Sequence, residues 1–536
     1  MVYIDIRDGF NVQLVMSNSI FSVNHGASYL KSIRKWGSLT KKKHVFIISG
    51  LVLVVCILVV VIISQMLKQA GDASGIMTVA SAPSESSDAT VPAVQDASAD
   101  AITIRLGVWP EPSQTDAIKL HEGYVAKLKE LHPDITVLPA PYTLADMDHF
   151  MAAAQSETLP TVFEFILASP DSTIPFDYVA DITDELAARG WDKAMNPGIK
   201  DMLSKDGRIY GIPLDGYALG LMMNLDLFKQ AGLVNADGRP LYPKTIDEFV
   251  ECVQKIKKET GKAGFCFPAK DMTGSWHFAQ IAWNFGATLC SQNSDGTFTA
   301  NLDSAQAIEA MSFIKDLKWK YDVLTETPAE EDWNTGFTAL GKGDAAMYIA
   351  ASDVVNQVTQ VNGLSPDKLA LCAFPAGPKG DAYCLTSGNT YAFAKNATPD
   401  EISACLDYLE IMGKAPVATD DVIAGLKTDA QDKKANGIPI LPRFPLWVNK
   451  DYLDAENTVI RESANVDMEQ FQPYFDAVTG SGYTLRMEEP GSLSSLYLEL
   501  VPVLQAVVTD KNADVQALME KADSNLQQIL NEQYPQ

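Results

Sequence analysis

Apolar residues alternate with polar ones from Ile102 to Trp109, the period of a half-buried strand, and the run turns at Pro110. The period then lengthens. Ile118, Tyr124, Val125, Leu128 and Leu131 fall on one face of a helix over residues 117–131. A strand at 135–139, a helix at 147–154 and a strand at 159–167 follow. This β-α-β-α-β order predicts a parallel sheet covered by helices. Residues 208–213 give another short strand, broken by Asp215-Gly216-Tyr217. A second apolar run, 218–223, leads into a helix at 225–231 that Gly232 closes. Two strand signals joined by a polar linker predict a chain crossing from one sheet to another, and ligand sites favour such junctions.

Further helices are predicted at 245–249, 274–286, 304–321 and 399–412, and near the end at 493–504 and 514–530. Thr245 can cap the first of these, with Glu248 answering as a capping box. Strands are predicted at 369–378 and 387–395, the latter giving a second crossing.

One stretch reads differently. Residues 45–67 are apolar and uncharged, long enough to span a hydrocarbon core of about 30 Å. Basic residues crowd its N-terminal side (Lys31, Arg34, Lys35, Lys41, Lys42, Lys43), which puts residues 1–44 in the cytoplasm and 69–536 outside. It reads as an uncleaved signal anchor. A cleaved signal is the alternative, but secretory apolar regions are shorter, and Ala80-Ser81-Ala82 lies well downstream. Residues 68–101 are rich in Ala, Ser, Asp and Pro and read as a flexible tether.

Of 536 residues, 47% are hydrophobic and 21% charged, as in globular proteins. The net charge of −26 is unevenly spread. Residues 1–68 hold eight Lys/Arg and two Asp/Glu, or +6; the remainder holds 34 basic and 66 acidic residues, or −32. So acidic a body argues against a nucleic-acid partner. Six cysteines lie in it (Cys252, Cys266, Cys290, Cys372, Cys384, Cys405), with no CxxC. They read as small buried apolar residues, pairing being the alternative.

Several phrases resemble those of extracellular solute-binding proteins, family 1, the maltose-binding-protein-like sugar binders of ABC importers. They are Tyr210-Gly211-Ile212-Pro213, Met223-Asn224-Leu225-Asp226-Leu227-Phe228 and Ala231-Gly232-Leu233, with His132-Pro133-Asp134-Ile135 and Leu159-Pro160-Thr161-Val162 before them. The family pattern has Tyr at 223, Lys at 225 and Trp at 246; this chain has Met223, Leu225 and Ile246. Where the family continues Gly-x-Trp, the chain reads Ala351-Ser352-Asp353. The resemblance implies a two-lobe α/β fold, periplasmic-binding-protein-like (type II), here preceded by a single transmembrane helix. It implies residues 102–218 and 388–430 in lobe 1, and 219–387 and 431–536 in lobe 2. It also implies a sugar or oligosaccharide ligand, an ABC permease partner, and no catalysis or cofactor. A lipobox is the family norm in Gram-positive bacteria; at Cys56 it would leave an apolar tail on the mature chain.

A sugar-binding cleft needs aromatic faces for the C–H surfaces of the ring and carboxylates or amides for the hydroxyls. Candidates lie at strand ends and crossings: Trp109 and Glu111; Phe163 and Glu164, where alternation lets only one face meet a cleft; Asp215 and Tyr217; Asn389 and Tyr391. Trp276 and His277 open the aromatic helix, and Asp353 and Tyr497 complete the set. Trp283 reads as core. Competing readings are weaker. His121, His132, His149 and His277 lack metal-ligand spacing, and no P-loop, dinucleotide or G-x-S-x-G motif occurs. Asp295-Gly296 and Asp237-Gly238 read as turns rather than calcium loops. A membrane-anchored sensor and a polysaccharide-acting enzyme remain as alternatives, the latter because so many carboxylates permit chance pairs.

Overall fold

The computed structural model describes residues 3–7, 11–16, 19–23, 102–142, 147–166 and 177–534. The apolar stretch 45–67 and the tether 68–101 lie outside them. Among the described residues no helix is long and apolar enough to cross a membrane.

The chain divides into two units, residues 1–94 and 95–536. In the first, β1 (Tyr3–Arg7), β2 (Asn11–Met16) and β3 (Ser19–Val23) form an antiparallel meander. Each strand is five or six residues long.

The second unit opens with β4 (Thr103–Leu106), α1 (Thr115–Leu131), β5 (Thr136–Pro139), α2 (Met147–Gln155) and β6 (Val162–Ile166). The expected parallel sheet is present: β4 pairs in parallel with both β5 and β6. Ile104 and Leu106 alternate inward and are fully buried. Then come β7 (Ile212–Ala218) and β8 (Gly220–Asn224). The Asn224 side chain caps the helix Leu225–Gln230 by accepting from the Asp226 N–H at 3.0 Å. At α3 (Ile246–Thr260) the cap is offset from expectation. Thr245 Oγ1 accepts from the Glu248 N–H, but Glu248 accepts from the N–H of Lys244, one residue before the cap.

Helices α4 (Met272–Asn284), α5 (Ala305–Trp319) and α6 (Trp333–Lys342) lead to β9 (Met347–Ala350) and β10 (Leu369–Cys372). These two strands flank β8, both antiparallel to it. Side chains alternate across this sheet: Leu221 and Met223 enter one core, while Met222 enters the other. Being covered on both faces, β8 reads as a continuous apolar run.

Strand β11 (Tyr383–Phe393) is the longest among the described residues. It pairs antiparallel with β6 over residues 389–393 and with β7 over 386–391. After α7 (Pro399–Ile411), α8 (Asp420–Ala435), α9 (Lys450–Ser463) and α10 (Gln472–Val478), a short β12 (Thr484–Arg486) pairs in parallel with the start of β11. The sequence signals two crossings, β7–β8 and β11; a further connection, β12, leads from α10 in the first core to α11 in the second and carries no sequence signal. Helices α11 (Leu493–Thr509) and α12 (Val515–Gln533) pack into the second core. A satellite core joins α8 to α9 through Leu426, Ala430, Val459 and Ile460. All six described cysteines are buried and free.

Candidate functional site

A cleft of about 640 Å³ opens beside the crossing strands. Its back is the centre of β7: Leu214, Asp215 and Gly216. One wall carries Ser352, Asp353 and Asn356, just past β9. The other carries Lys414, from the turn after α7, and the loop between α8 and α9, with Arg443, Phe444 and Trp447. The volume lies within the range of small-molecule sites, roughly 300–1,000 Å³.

Close backbone approach shapes the back of the cleft. Asp215 accepts from the Asn389 N–H at 2.8 Å and from Asn389 Nδ2 at 3.0 Å on each carboxylate oxygen. These bonds tie β7 to β11 beside the β-bulge between Asn389 and Thr390. Opposite, a Cβ on Gly388 would lie 2.3 Å from the Asp215 carbonyl oxygen. A Cβ on Gly216 would lie 2.9 Å from the Phe444 ring. Glycine at 216 therefore lets the Phe444 ring close against the crossing.

Three carboxylates converge here. Asp215 is held as described. Glu164, opposite Tyr391 in the β6–β11 register, and Asp353 are exposed as residues, but the surrounding protein takes part of the hydration from their carboxyls. That loss of water, with the charge of Asp215, raises both above the usual carboxylate range; Lys414 opposes the rise at Glu164. Lys414 is half-buried, and its ammonium is pushed down by burial and by Arg443, with Glu164 and Asp215 pulling the other way.

Tyr217 stands behind Asp215. Its ring meets Trp276 edge-on at 6.0 Å, and its carbonyl accepts from Thr386 Oγ1 at 2.6 Å. Burial pushes its hydroxyl up, aided by Glu488 and Asp353. Trp276 stacks on His277, and both pack against Trp333. His277 is fully buried, and neither ring nitrogen has a hydrogen-bond partner among the described residues; burial pulls its pKa down to about 3. Tyr497 is buried and donates to Glu488 at 2.7 Å.

Among the residues singled out from sequence, Asp215 and Asp353 line the cleft, and Glu164, Tyr217, Asn389 and Tyr391 surround Asp215. Trp276, His277 and Tyr497 form the aromatic and hydroxyl group behind Tyr217. Trp109, packed edge-on to His121 at 5.6 Å, and the exposed Glu111 lie away from the cleft lining. Phe163 and Phe165 are both core residues against Phe150, because Glu164 occupies the open face of β6. Sequence reasoning passed over Lys414, Arg443, Phe444, Trp447 and Tyr452. Their one signal was prolines interleaved with aromatics, Pro442-Arg443-Phe444-Pro445-Leu446-Trp447, in an unpatterned stretch.

Chemically the cleft offers carboxylates to accept from hydroxyls, Lys414 and Arg443 to donate, and an apolar lining that includes the largely buried Phe444 and Trp447. That inventory suits reversible capture of a polar ligand with apolar faces.

A model of the family described as bacterial extracellular solute-binding protein matches residues 118–410. A lactose-binding protein of Rhizobium radiobacter is 25% identical over 318 residues, 55% of this chain and 66% of that protein. A binding protein of Brucella abortus (strain 2308) is 28% identical over 236 residues, 42% of this chain and 52% of that protein. The chain thus spans about half the length of the curated relatives it matches first. Among solved structures, the sugar-binding protein MalE of Xanthomonas citri superposes with a TM-score of 0.58 at 16% identity, over 80% of this chain and 98% of that one. The cyclic α-maltosyl-1,6-maltose binding protein of Arthrobacter globiformis gives 0.56 at 18% identity, over 80% and 99%. These likenesses show a two-lobe solute-binding fold of mixed α and β content.

Proposed function

This chain belongs to the bacterial extracellular solute-binding protein family, and from that premise we propose that it captures a sugar or oligosaccharide outside the cell. The observation that carries the reading is the cleft at the crossing, whose lining holds Asp215 and Asp353 together with Phe444 and Trp447. Carboxylates accept from sugar hydroxyls, and ring faces cover the C–H surface of a pyranose. Relatives described as lactose-binding and arabinooligosaccharide-binding proteins support the same ligand class.

In this reading the ligand group is Asp215, Asp353, Glu164, Tyr217, Lys414 and Trp447, with Asn389 and Tyr391 holding Asp215 and Glu164 in place. Closure about β7, β11 and β12 buries the ligand. The loaded form then delivers it to the permease subunits of an ABC importer, with no covalent step. The stretch 45–67 anchors the body to the membrane, with residues 102–536 outside.

Calorimetry of the full chain with a panel of mono- and oligosaccharides tests the ligand class. Saturable binding to members of the panel is expected; silence across it, with tight binding of peptides instead, would refute the reading. Co-purification from native membranes tests the partner, with permease subunits expected. The mass of the mature chain tests the anchor, a start near residue 83 being the contrary result.

A further inference from the structure

Two cations line the cleft without a carboxylate partner. Lys414 and Arg443 both face the cavity, and neither forms an ion pair with any described residue. The third cation of the lining, Lys433, is paired with Asp429 at 2.8 Å. Around Arg443 the neighbours are Tyr452 and Glu456. Glu456 is 5% exposed and accepts from the Arg443 backbone N–H at 3.4 Å; the exposed Arg443 side chain hydrogen-bonds Tyr452 and acts on Glu456 by charge without forming an ion pair. Around Lys414, Glu164 and Asp215 act at a distance, and Arg443 repels it.

Lys414 is half-buried and repelled by Arg443, a cost that Glu164 and Asp215 offset only at a distance, so an anion bridging the two cations would relieve it. A protein that needed only hydroxyl donors there could use amides or hydroxyls at lower cost. We infer that Lys414 and Arg443 form an acid-recognising end of the cleft, and that the ligand is an acidic saccharide bearing a carboxylate, such as a uronic-acid oligomer. The inference rests on the sugar-binding reading above and narrows it.

The charge balance selects the anion. Asp215, Asp353 and Glu164 leave the remainder of the cleft negative, so a dianionic phosphate would meet more repulsion than a single negative charge. A planar carboxylate also matches the guanidinium fork, which holds two oxygens at once. The uronate carboxylate would bridge Lys414 and Arg443, while the ring hydroxyls reach back to Asp215 and Asp353 and the ring face lies on Phe444 or Trp447.

Calorimetry of the full chain with trimers of galacturonate, glucuronate and mannuronate, each beside its carboxyl-reduced neutral counterpart, tests this. The expected result is at least tenfold tighter binding of one acid than of its neutral partner, a preference that shrinks as salt rises from 20 to 500 mM. Galactose 6-phosphate and galactose 6-sulfate separate the anion sources; preference for either over the uronates would overturn the carboxylate assignment. In Lys414→Met and Arg443→Gln the ratio of acid to neutral affinity should fall towards one, and Lys414→Arg should retain it. The salt dependence of the unaltered chain keeps the inference open to refutation should a variant not fold. Equal binding of acid and neutral trimers, independent of salt, would overturn the inference while the sugar-binding reading stands. Binding of neither class would remove both.

Discussion

Gly388→Ala places one methyl group where the two crossing strands touch. The new Cβ would sit 2.3 Å from the Asp215 carbonyl oxygen, 2.7 Å from Gly216 Cα and 3.0 Å from the Asp215 carbonyl carbon. All three are backbone atoms, so no side chain can swing aside. Restoring ordinary contact at 3.4 Å requires β7 and β11 to part by about 1 Å at the Gly388–Gly216 pair. Overpacking of that kind costs about 1–3 kcal/mol. The same displacement stretches the adjacent Asn389–Asp215 bonds, now 2.8 to 3.0 Å, and bonds to a charged group are worth about 1.5–3 kcal/mol each. Allowing for partial relaxation, the expected loss is about 2–5 kcal/mol, accompanied by weaker ligand binding because Asp215 moves. Gly123→Ala is the matched control. Gly123 lies inside α1 with nothing within 4 Å of its Cβ position, so alanine there should stabilise by roughly 0.5–1 kcal/mol. Urea denaturation of the full chain, followed by tryptophan fluorescence, measures both. If Gly388→Ala is as stable as Gly123→Ala within about 0.5 kcal/mol, the close-approach argument is wrong.

Other expectations concern charge and burial. His277, pulled down to about 3 from 6.5, stays neutral in the folded chain while the unfolded chain protonates below 6.5. Folding stability attributable to it is therefore intact above pH 6.5 and is lost as pH falls towards 3; His277→Phe should flatten urea-denaturation stability across that window and be at least as stable at pH 7, since it removes unpaired buried nitrogens. Burial shifts His121 in the same direction, so a residual slope is expected in the variant. Asp353 bears an uncompensated carboxylate at the cleft, so Asp353→Ala should weaken sugar binding at least tenfold by calorimetry with an unchanged or slightly raised thermal midpoint; full-strength binding would remove it from the ligand group. Burial pushes the thiols of Cys252, Cys290 and Cys384 up to about 12 and raises those of Cys266, Cys372 and Cys405 well above the usual thiol value. In a Cys56→Ser background, mass spectrometry should find none of the six labelled by a thiol reagent at pH 8 until denaturant is added.

Local periodicity explains what could be read in advance. The parallel β4–β5–β6 sheet was legible because Ile104 and Leu106 alternate and α1 keeps a helical spacing. Asp215 was legible because Asp215-Gly216-Tyr217 interrupts two apolar runs, which marks a crossing whatever the fold. The loop bearing Arg443, Phe444 and Trp447 has no period, since its placement is set by the packing of α8 against α9 and of Phe444 on Gly216. Lys414 is one lysine in a helix-terminal turn, indistinguishable in sequence from an exposed one. Phe163 and Phe165 were ambiguous for a different reason: alternation says that two faces differ but not which of them faces the cleft, and that choice is made by Phe150. The crossing at β12 is three residues long, below the length at which a pattern can declare itself.

The strand Gly220–Asn224 sends Met222 to one interior and its neighbours Leu221 and Met223 to the other. Two hydrophobic interiors nailed to opposite sides of one plank cannot loosen separately. The sheet is thus held from both faces, so that a sequence change at Met222 acts on one interior and a change at Leu221 or Met223 on the other.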